Sequence, residues 1–442
     1  MKLQQYLHKE KHIAPLATFR VAFGVLMLLS IVRFWSKGWI ETQYIQPEYF
    51  FTYYGFDWVK PLGNPGMFIL FGLMGMTALF IALGFLYRYS AIIFFLLFTY
   101  VELIDKTNYL NHYYFVSIMA FLLIWVPANA SYSLDAKWGL VKSRRLVPAW
   151  SVDIFKLQLG IVYFYAGLAK LNADWLFEAM PLKMWLPAKS HTPLIGWLFD
   201  YKWTAYFFSW FGAAYDLSIP FLLLWSRTRW LAYFAVIAFH VLTAILFPIG
   251  MFPYIMIVAT LIYFSEDFHK SLWEKLGFST SVNVLPERRS VGLLKNALLI
   301  MLAVHFALQL LLPFRYTLYG DNLFWHEQGY RFSWRVMLME KSGYTNFTIE
   351  QKSTGKRMAI EPSDYLTPVQ LKMMSTQPDM TLQFAHHLQE LFEPQYGNVA
   401  VYANSYVALN GKGSKKFIAD SVDLSAQKRG LRPKNWILPF ND

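Results

Sequence analysis

The sequence predicts a multi-pass α-helical membrane protein, with about nine transmembrane helices and then a C-terminal extramembrane α+β domain. Three observations carry that prediction. Of 442 residues, 56% are hydrophobic and only 15% are charged, where a soluble domain carries about 25% charged residues. Apolar runs close to spanning length recur from residue 14 to about 313. From about residue 315 the pattern changes to short alternating segments separated by polar turns.

Taken in order, the apolar runs lie at roughly 14–34, 66–87, 89–104, 109–127, 152–171, 203–225, 230–247, 249–265 and 291–313. The first follows a basic start without a small-residue cleavage site, so it reads as a retained helix. Breaks are plain at "VPANAS", "FPIGMFP" and "LLPF". Lys2, Lys9 and Lys11 put the N-terminus in the cytoplasm. The alternate loops on that side hold Arg88; Lys137, Lys142, Arg144 and Arg145; Arg227 and Arg229; and Lys270, Lys275, Arg288 and Arg289. The short loops 105–108 and 248–253 on the other side hold one basic residue, Lys106. An odd number of spans then puts the C-terminus outside. Beyond the helices, "FSWRVMLMEKSGYTNFTIEQKSTGKRMAIEP" reads as two or three strands. "LTPVQLKMM" offers Thr367 as N-cap and Pro368 as first helical residue. "MTLQFAHHLQELF" has helical spacing, and "NVAVYANSYVALNG" and "KKFIAD" read as strands. The division falls between 1–314 and 315–442.

Composition also excludes chemistry. With no cysteine, disulfides, thiolate catalysis and cysteine-ligated metals are out. The net charge of +12 reads as membrane topology, and no nucleic-acid motif accompanies it. No HExxH, ExxH pair, GxSxG, Walker A or dinucleotide fingerprint is present, so no metal is expected. A bis-histidine haem on His112 and His240 is geometrically open but has no signature.

Ionisable groups at membrane depth are costly and are functional candidates by default. Lys170, in "IVYFYAGLAKLNADW", ends the fifth run. It is either a lysine snorkelling to the headgroups or an inward-facing amine that takes a proton. Asp174, four residues on, is within reach if the helix continues. Asn111 and His112 open the fourth run, as an interfacial cluster or as site groups. His240 lies well inside the seventh run and His305 inside the ninth; either can be an ordinary core histidine. The predicted topology brings His112, Lys170 and His240 within roughly 12 Å of the same membrane surface, at ~1.5 Å per residue. A shared site there is open to a lipid-soluble molecule from the bilayer and to a polar one from outside.

At these residues the chain resembles the vitamin K-dependent γ-glutamyl carboxylase family, in its bacterial form. "GLAKLNADW" is similar to that family's lysine–leucine–aspartate–alanine–aspartate–tryptophan segment. "NHYYF", "FHVLTAILFPIGMFPY", "WHEQGYRFSW" and "YVALNGKGSKKFIADSVDL" also resemble family segments, and the likeness runs from the first helix to about residue 437. The resemblance implies a coupled reaction. Reduced vitamin K, or menaquinol, is deprotonated and oxygenated by O2. The resulting strong base removes a γ-proton from a glutamate of a protein or peptide. The carbanion takes up CO2, and the quinone leaves as its epoxide. It implies Lys170 as the starting base, and Asn111, His112 and His240 as groups that orient the quinol or stabilise negative charge. Trp325, Tyr330, Ser333 and Trp334 match a region linked to glutamate-substrate binding.

The chemistry of the residues agrees with this. A γ-C–H is far too weak an acid for a side-chain base, so quinol oxidation must drive the step. Three positions depart from the family pattern: Ala169 precedes Lys170, Asn172 stands for the first aspartate, and Met339 stands for a histidine. The expected partners are a glutamate-containing protein or peptide, a lipid-soluble quinol and membrane lipids, with no nucleic acid. The expected location is the bacterial inner membrane, with the active site and C-terminal domain on the periplasmic side. A quinol epoxidase acting on another acceptor and a non-catalytic quinone- or lipid-binding protein are the alternatives.

Overall fold

The computed structural model describes residues 5–7, 9–278, 293–320 and 322–440. Nine apolar helices follow one another among them: α1 (Ala14–Ser36), α2 (Gly63–Leu83), α3 (Tyr87–Ile104), α4 (Asn111–Ile124), α5 (Trp150–Ala169), α6 (Lys202–Leu224), α7 (Arg229–Leu246), α8 (Phe252–Ala259) and α9 (Leu293–Leu311). Seven are long and apolar enough to cross a membrane, so the chain is an integral helical membrane protein. Lys2, Arg288, Arg289 and the expected start of the ninth run at 291 lie outside the described residues.

α4 and α8 are shorter than the runs the sequence offered. Before α4 the chain makes a 3-10 turn, Lys106–Asn108, in which the Asp105 carboxylate accepts from the Thr107 amide. The helix therefore starts only at Asn111. Between α7 and α8 sit Pro248 and Gly250, the latter in the left-handed region at φ +61. α8 begins at Phe252 with proline in its first turn and tightens into a 3-10 segment, Thr260–Tyr263.

Two glycines set the closest helix contacts. A Cβ on Gly24 of α1 would sit 2.5 Å from the Ala82 amide nitrogen of α2. A Cβ on Gly167 of α5 would sit 2.7 Å from Leu217 Cγ and 2.8 Å from the Leu217 amide nitrogen of α6. Close approach at these points is possible only without a side chain.

At the N-terminal end a three-residue clip forms, β1 (Glu10–His12) pairing antiparallel with β2 (Leu146–Pro148). The C-terminal unit is a four-stranded antiparallel sheet in the order β4-β3-β5-β6, from β3 (Lys341–Gln351), β4 (Arg357–Ile360), β5 (Val399–Leu409) and β6 (Lys415–Lys416). Thr345 faces Ser405 in the register, and their hydroxyls are bonded at 2.8 Å. Helices α10 (Pro368–Thr376) and α11 (Pro378–Tyr396) cover one face. Thr367 caps α10 in a full capping box with Gln370, ahead of Pro368.

There are two large apolar cores. One fills the helix bundle around Phe19, Phe94, Phe155 and Tyr263. The other joins Phe347, Phe384 and Val401 of the C-terminal unit to Trp175, Leu182 and Leu186, which follow α5. The unit is thus packed against the end of the bundle where α5 finishes and α4 begins. Polar contacts fasten it there. Lys106 Nζ is 2.8 Å from Asp379 Oδ2, Gln370 donates to Asp105 at 3.0 Å, and the Asn111 amide donates to the Arg335 carbonyl at 2.8 Å.

Candidate active site

The segment "LAKLNADW" is a helix end built to turn the chain back on itself. α5 stops at Ala169, and Lys170 is its C-cap. Asn172 then does two jobs. Its Oδ1 accepts from the Trp175 amide at 3.0 Å, and its Nδ2 donates to the Ala169 carbonyl at 2.9 Å. A carboxylate in that position has no donor for the second bond. The turn lays the Trp175 ring 5.6 Å from Lys170 Nζ, and the indole N–H donates to the Ser209 carbonyl at 2.8 Å.

The helix ends at Ala169, so the condition that would bring Asp174 within reach of Lys170, a helix continuing past Lys170, is not met. Asp174 accepts instead from Asn410 Nδ2 at 2.7 Å, in the turn after β5. The partner of Lys170 is Asp216 of α6, with Nζ 2.5 Å from Oδ2 and both side chains buried. Gly167 makes this possible, because it lets α6 approach at Leu217, the neighbour of Asp216. Gly212, one turn before Asp216, leaves space beside Lys170 Cε, where a Cβ would come to 3.9 Å.

Lys170 and Asp216 line an apolar cavity of about 110 Å³, together with His240, Trp175, Phe239 and Phe252. His240 Nε2 and the Tyr163 hydroxyl are hydrogen-bonded at 3.1 Å. His240 Nδ1 is buried with no partner among the described residues. Such an atom is costly unless a ligand meets it.

A second, more polar cavity of about 730 Å³ lies between the bundle and the C-terminal unit. The two cavities share a wall of Asn111, Ile249, Phe252, Val336 and Met337. His112 faces the polar one, with its ring packed on Tyr113 and Phe252. Arg33, Lys106, Arg331, Arg335, Lys341 and Lys372 line it against only Glu327 and Glu340 among the described residues, so it is a basic vestibule. Burial pushes the Lys106 ammonium down to about 8, with Asp379 opposing. Burial would raise the Asp379 carboxyl, but Arg331 and Lys106 together hold it well below the usual carboxylate range. Burial likewise pushes Lys341 down, opposed by Glu327 at 2.8 Å.

The structure thus brings Lys170, His240, Asn111 and Trp334 to the apolar cavity, and His112 and Tyr330 to the vestibule. Trp334 stacks on Tyr114 with centroids 5.0 Å apart. Trp325 lines neither; it is fully buried against Phe417 and Phe440 and donates to the Leu438 carbonyl at 2.7 Å. Ser333 also lines neither and donates to the Tyr330 carbonyl, tightening the turn behind the vestibule. His305 lines neither cavity and pairs with Gln158 at 3.1 Å. Sequence reasoning passed over Asp216 and Tyr163. Asp216, in "AAYDLSIP", carries the signal that singled out Lys170, an ionisable residue inside an apolar run. Tyr163 lies seven residues before Lys170, on the same face of α5.

Comparison with known families gives two matches. Residues 8–268, more than half of the chain, match the family described as HTTM domain. Residues 294–442 match the family described as vitamin K-dependent gamma-carboxylase, lumenal domain. No solved structure matches the chain.

Proposed function

The chain belongs to the vitamin K-dependent gamma-carboxylase family, and on that premise we propose that it γ-carboxylates a glutamate of a protein or peptide at the expense of a reduced naphthoquinol, with Lys170 taking the quinol proton. One observation carries the reading. A buried amine–carboxylate pair and a histidine with an unpartnered nitrogen line an apolar cavity that shares a wall with a basic vestibule. Reduced vitamin K or menaquinol, with O2, supplies a base strong enough for the γ-C–H, which no side chain can deprotonate.

Every other task falls to this chain. The Lys170–Asp216 pair holds one proton in either of two arrangements, ammonium with carboxylate or amine with acid. In the second, the Lys170 lone pair accepts the hydroxyl proton of the quinol, leaving ammonium beside acid. When Tyr163 donates to His240 Nε2, the other ring nitrogen carries hydrogen and offers a donor to a quinol oxygen. Asn111, shared by both cavities, stands between quinol and glutamate. The apolar lining keeps water from quenching a strong base. The excess positive charge of the vestibule, to which His112 and Tyr330 contribute polar groups, attracts a glutamate side chain. CO2 needs no charged site.

The division at 314/315, an N-terminus in the cytoplasm of a bacterium and a C-terminal unit on the periplasmic face belong to the same proposal. The basic loops 137–145 and 227–229 support it. The test uses purified protein and Lys170→Ala with menaquinol or reduced vitamin K, O2, a glutamate peptide and labelled bicarbonate. Epoxide and label together, both lost in the variant, are expected. Epoxide without label points to another acceptor; epoxide at wild-type rate from Lys170→Ala overturns Lys170 as base.

A further inference from the structure

A third cavity, of about 360 Å³, lies between α3, α4 and α9 and shares no residue with the Lys170 cavity. Its walls are largely aromatic. Tyr53, Tyr109 and Tyr114 surround the Phe332 ring at 6.0, 5.1 and 4.9 Å, and Phe95 meets Phe121 at 5.6 Å. Into this lining comes one carboxylate, Glu102, from the last turn of α3. Among the described residues Glu102 makes no hydrogen bond and no ion pair. Lys106, four residues on, is engaged with Asp379 at 2.8 Å. The Thr99 hydroxyl, also in the wall, is buried without a partner.

A lone carboxylate in a cavity lined by aromatic rings is the chemistry that holds an ammonium group. The carboxylate supplies the counter-charge, and ring faces within about 6 Å attract a cation. Neither feature favours an anion, and a neutral ligand can stack on the rings but leaves the Glu102 charge unmet. Phe95 lies seven residues before Glu102 on α3, about 10 Å deeper into the bundle. Phe95, Ser117 and Phe121 are all half-buried, so the cavity offers an apolar path from the level of Glu102 toward the membrane interior. A head group at Glu102 and a chain running past Phe95 and Phe121 have the polarity of a lipid in the leaflet next to the C-terminal unit.

We propose that this cavity is a binding site for an amine-headed lipid of the phosphatidylethanolamine type, with Glu102 as counter-ion to the ammonium. The experiment is native mass spectrometry of the full chain in detergent with added phosphatidylethanolamine or phosphatidylglycerol of identical acyl chains. Wild type is expected to retain the amine lipid about tenfold over the glycerol lipid, from one ion pair with aromatic support. Glu102→Gln removes that preference. Thr99→Phe fills the cavity without changing charge and also lowers retention, so a poorly folded Glu102→Gln leaves the proposal testable. Dodecylammonium competes with the lipid if the amine is what is recognised. Equal retention of both lipids by wild type, or an undiminished preference in either folded variant, overturns the proposal.

Discussion

Gly167→Ala adds one methyl group where α5 and α6 touch. The new Cβ would lie 2.8 Å from the Leu217 amide nitrogen, and ordinary contact begins at 3.4 Å. Backbone cannot swing aside as a side-chain tip can, so α6 must withdraw by about 0.6 Å. Asp216 moves with it, stretching a pair now at 2.5 Å. Overpacking of this kind costs about 1–3 kcal/mol, and alanine's better helix propensity returns about 1 kcal/mol of that. Stability should therefore change little. Catalysis should change more, because a misplacement of about 1 Å costs about 100-fold; on that scale about tenfold is expected here. Gly160→Ala is the matched control on the same helix. Its Cβ would meet the Tyr263 hydroxyl at 3.7 Å and Pro220 Cβ at 3.8 Å, both ordinary contacts. The assay is quinone epoxide formation by both variants in nanodiscs, beside their thermal melts. Wild-type turnover by Gly167→Ala, or equal losses in the two variants, would refute the argument that this glycine sets the Lys170–Asp216 geometry.

Three further outcomes are expected. Asp216→Asn leaves the Lys170 ammonium without a counter-charge and should destabilise the bundle by about 3 kcal/mol; Lys170→Met with Asp216→Leu should recover the melt but not epoxide formation. Asp379, held low by Arg331 and Lys106 against the push of burial, contributes stability that is present above the unfolded aspartate value of about 3.9 and lost as pH falls below it. Its partial exposure screens that contribution, so the wild-type melt should exceed that of Asp379→Asn at pH 6 and converge toward it below about pH 4. Lys372→Glu reverses one exposed charge of the vestibule; KM for a glutamate peptide should rise severalfold with KM for the quinol unchanged, and the difference should shrink with salt.

The helical membrane character was legible because apolar run length is a composition signal, and Thr367–Pro368 was legible because a cap is local. The two short helices were not. Hydropathy sees "NHYYFVSIMAFLLIWV" as one run, while Asp105 and the prolines decide where helical hydrogen bonding starts and stops. In the site, Lys170, His240 and Asn111 were found because polar groups stand out in apolar runs. Pairing was a different matter. Asp174 is near Lys170 in sequence and Asp216 is 46 residues away, and a helix terminus plus one glycine contact, both invisible to periodicity, decide between them. Trp325 and Ser333 were chosen by similarity of a segment, which marks a region but cannot separate residues that face a cavity from those that hold its wall.

The brevity of α4 bears on the bilayer itself. Fourteen residues span about 21 Å, against a hydrocarbon core of about 30 Å. Asn111 and His112 sit at one end of that helix, beside the vestibule. No residue of this helix is exposed, so neighbouring protein, and not lipid, makes up the missing length. Irregular backbone at membrane depth is tolerated where protein buries it or where it lines a polar cavity, and the turn at Lys106–Asn108 meets both conditions. The short helix acts as a well sunk into the bundle: it lowers the floor of the vestibule toward the bilayer interior, so a polar ligand descends to the depth of the apolar cavity without the surrounding lipid having to deform.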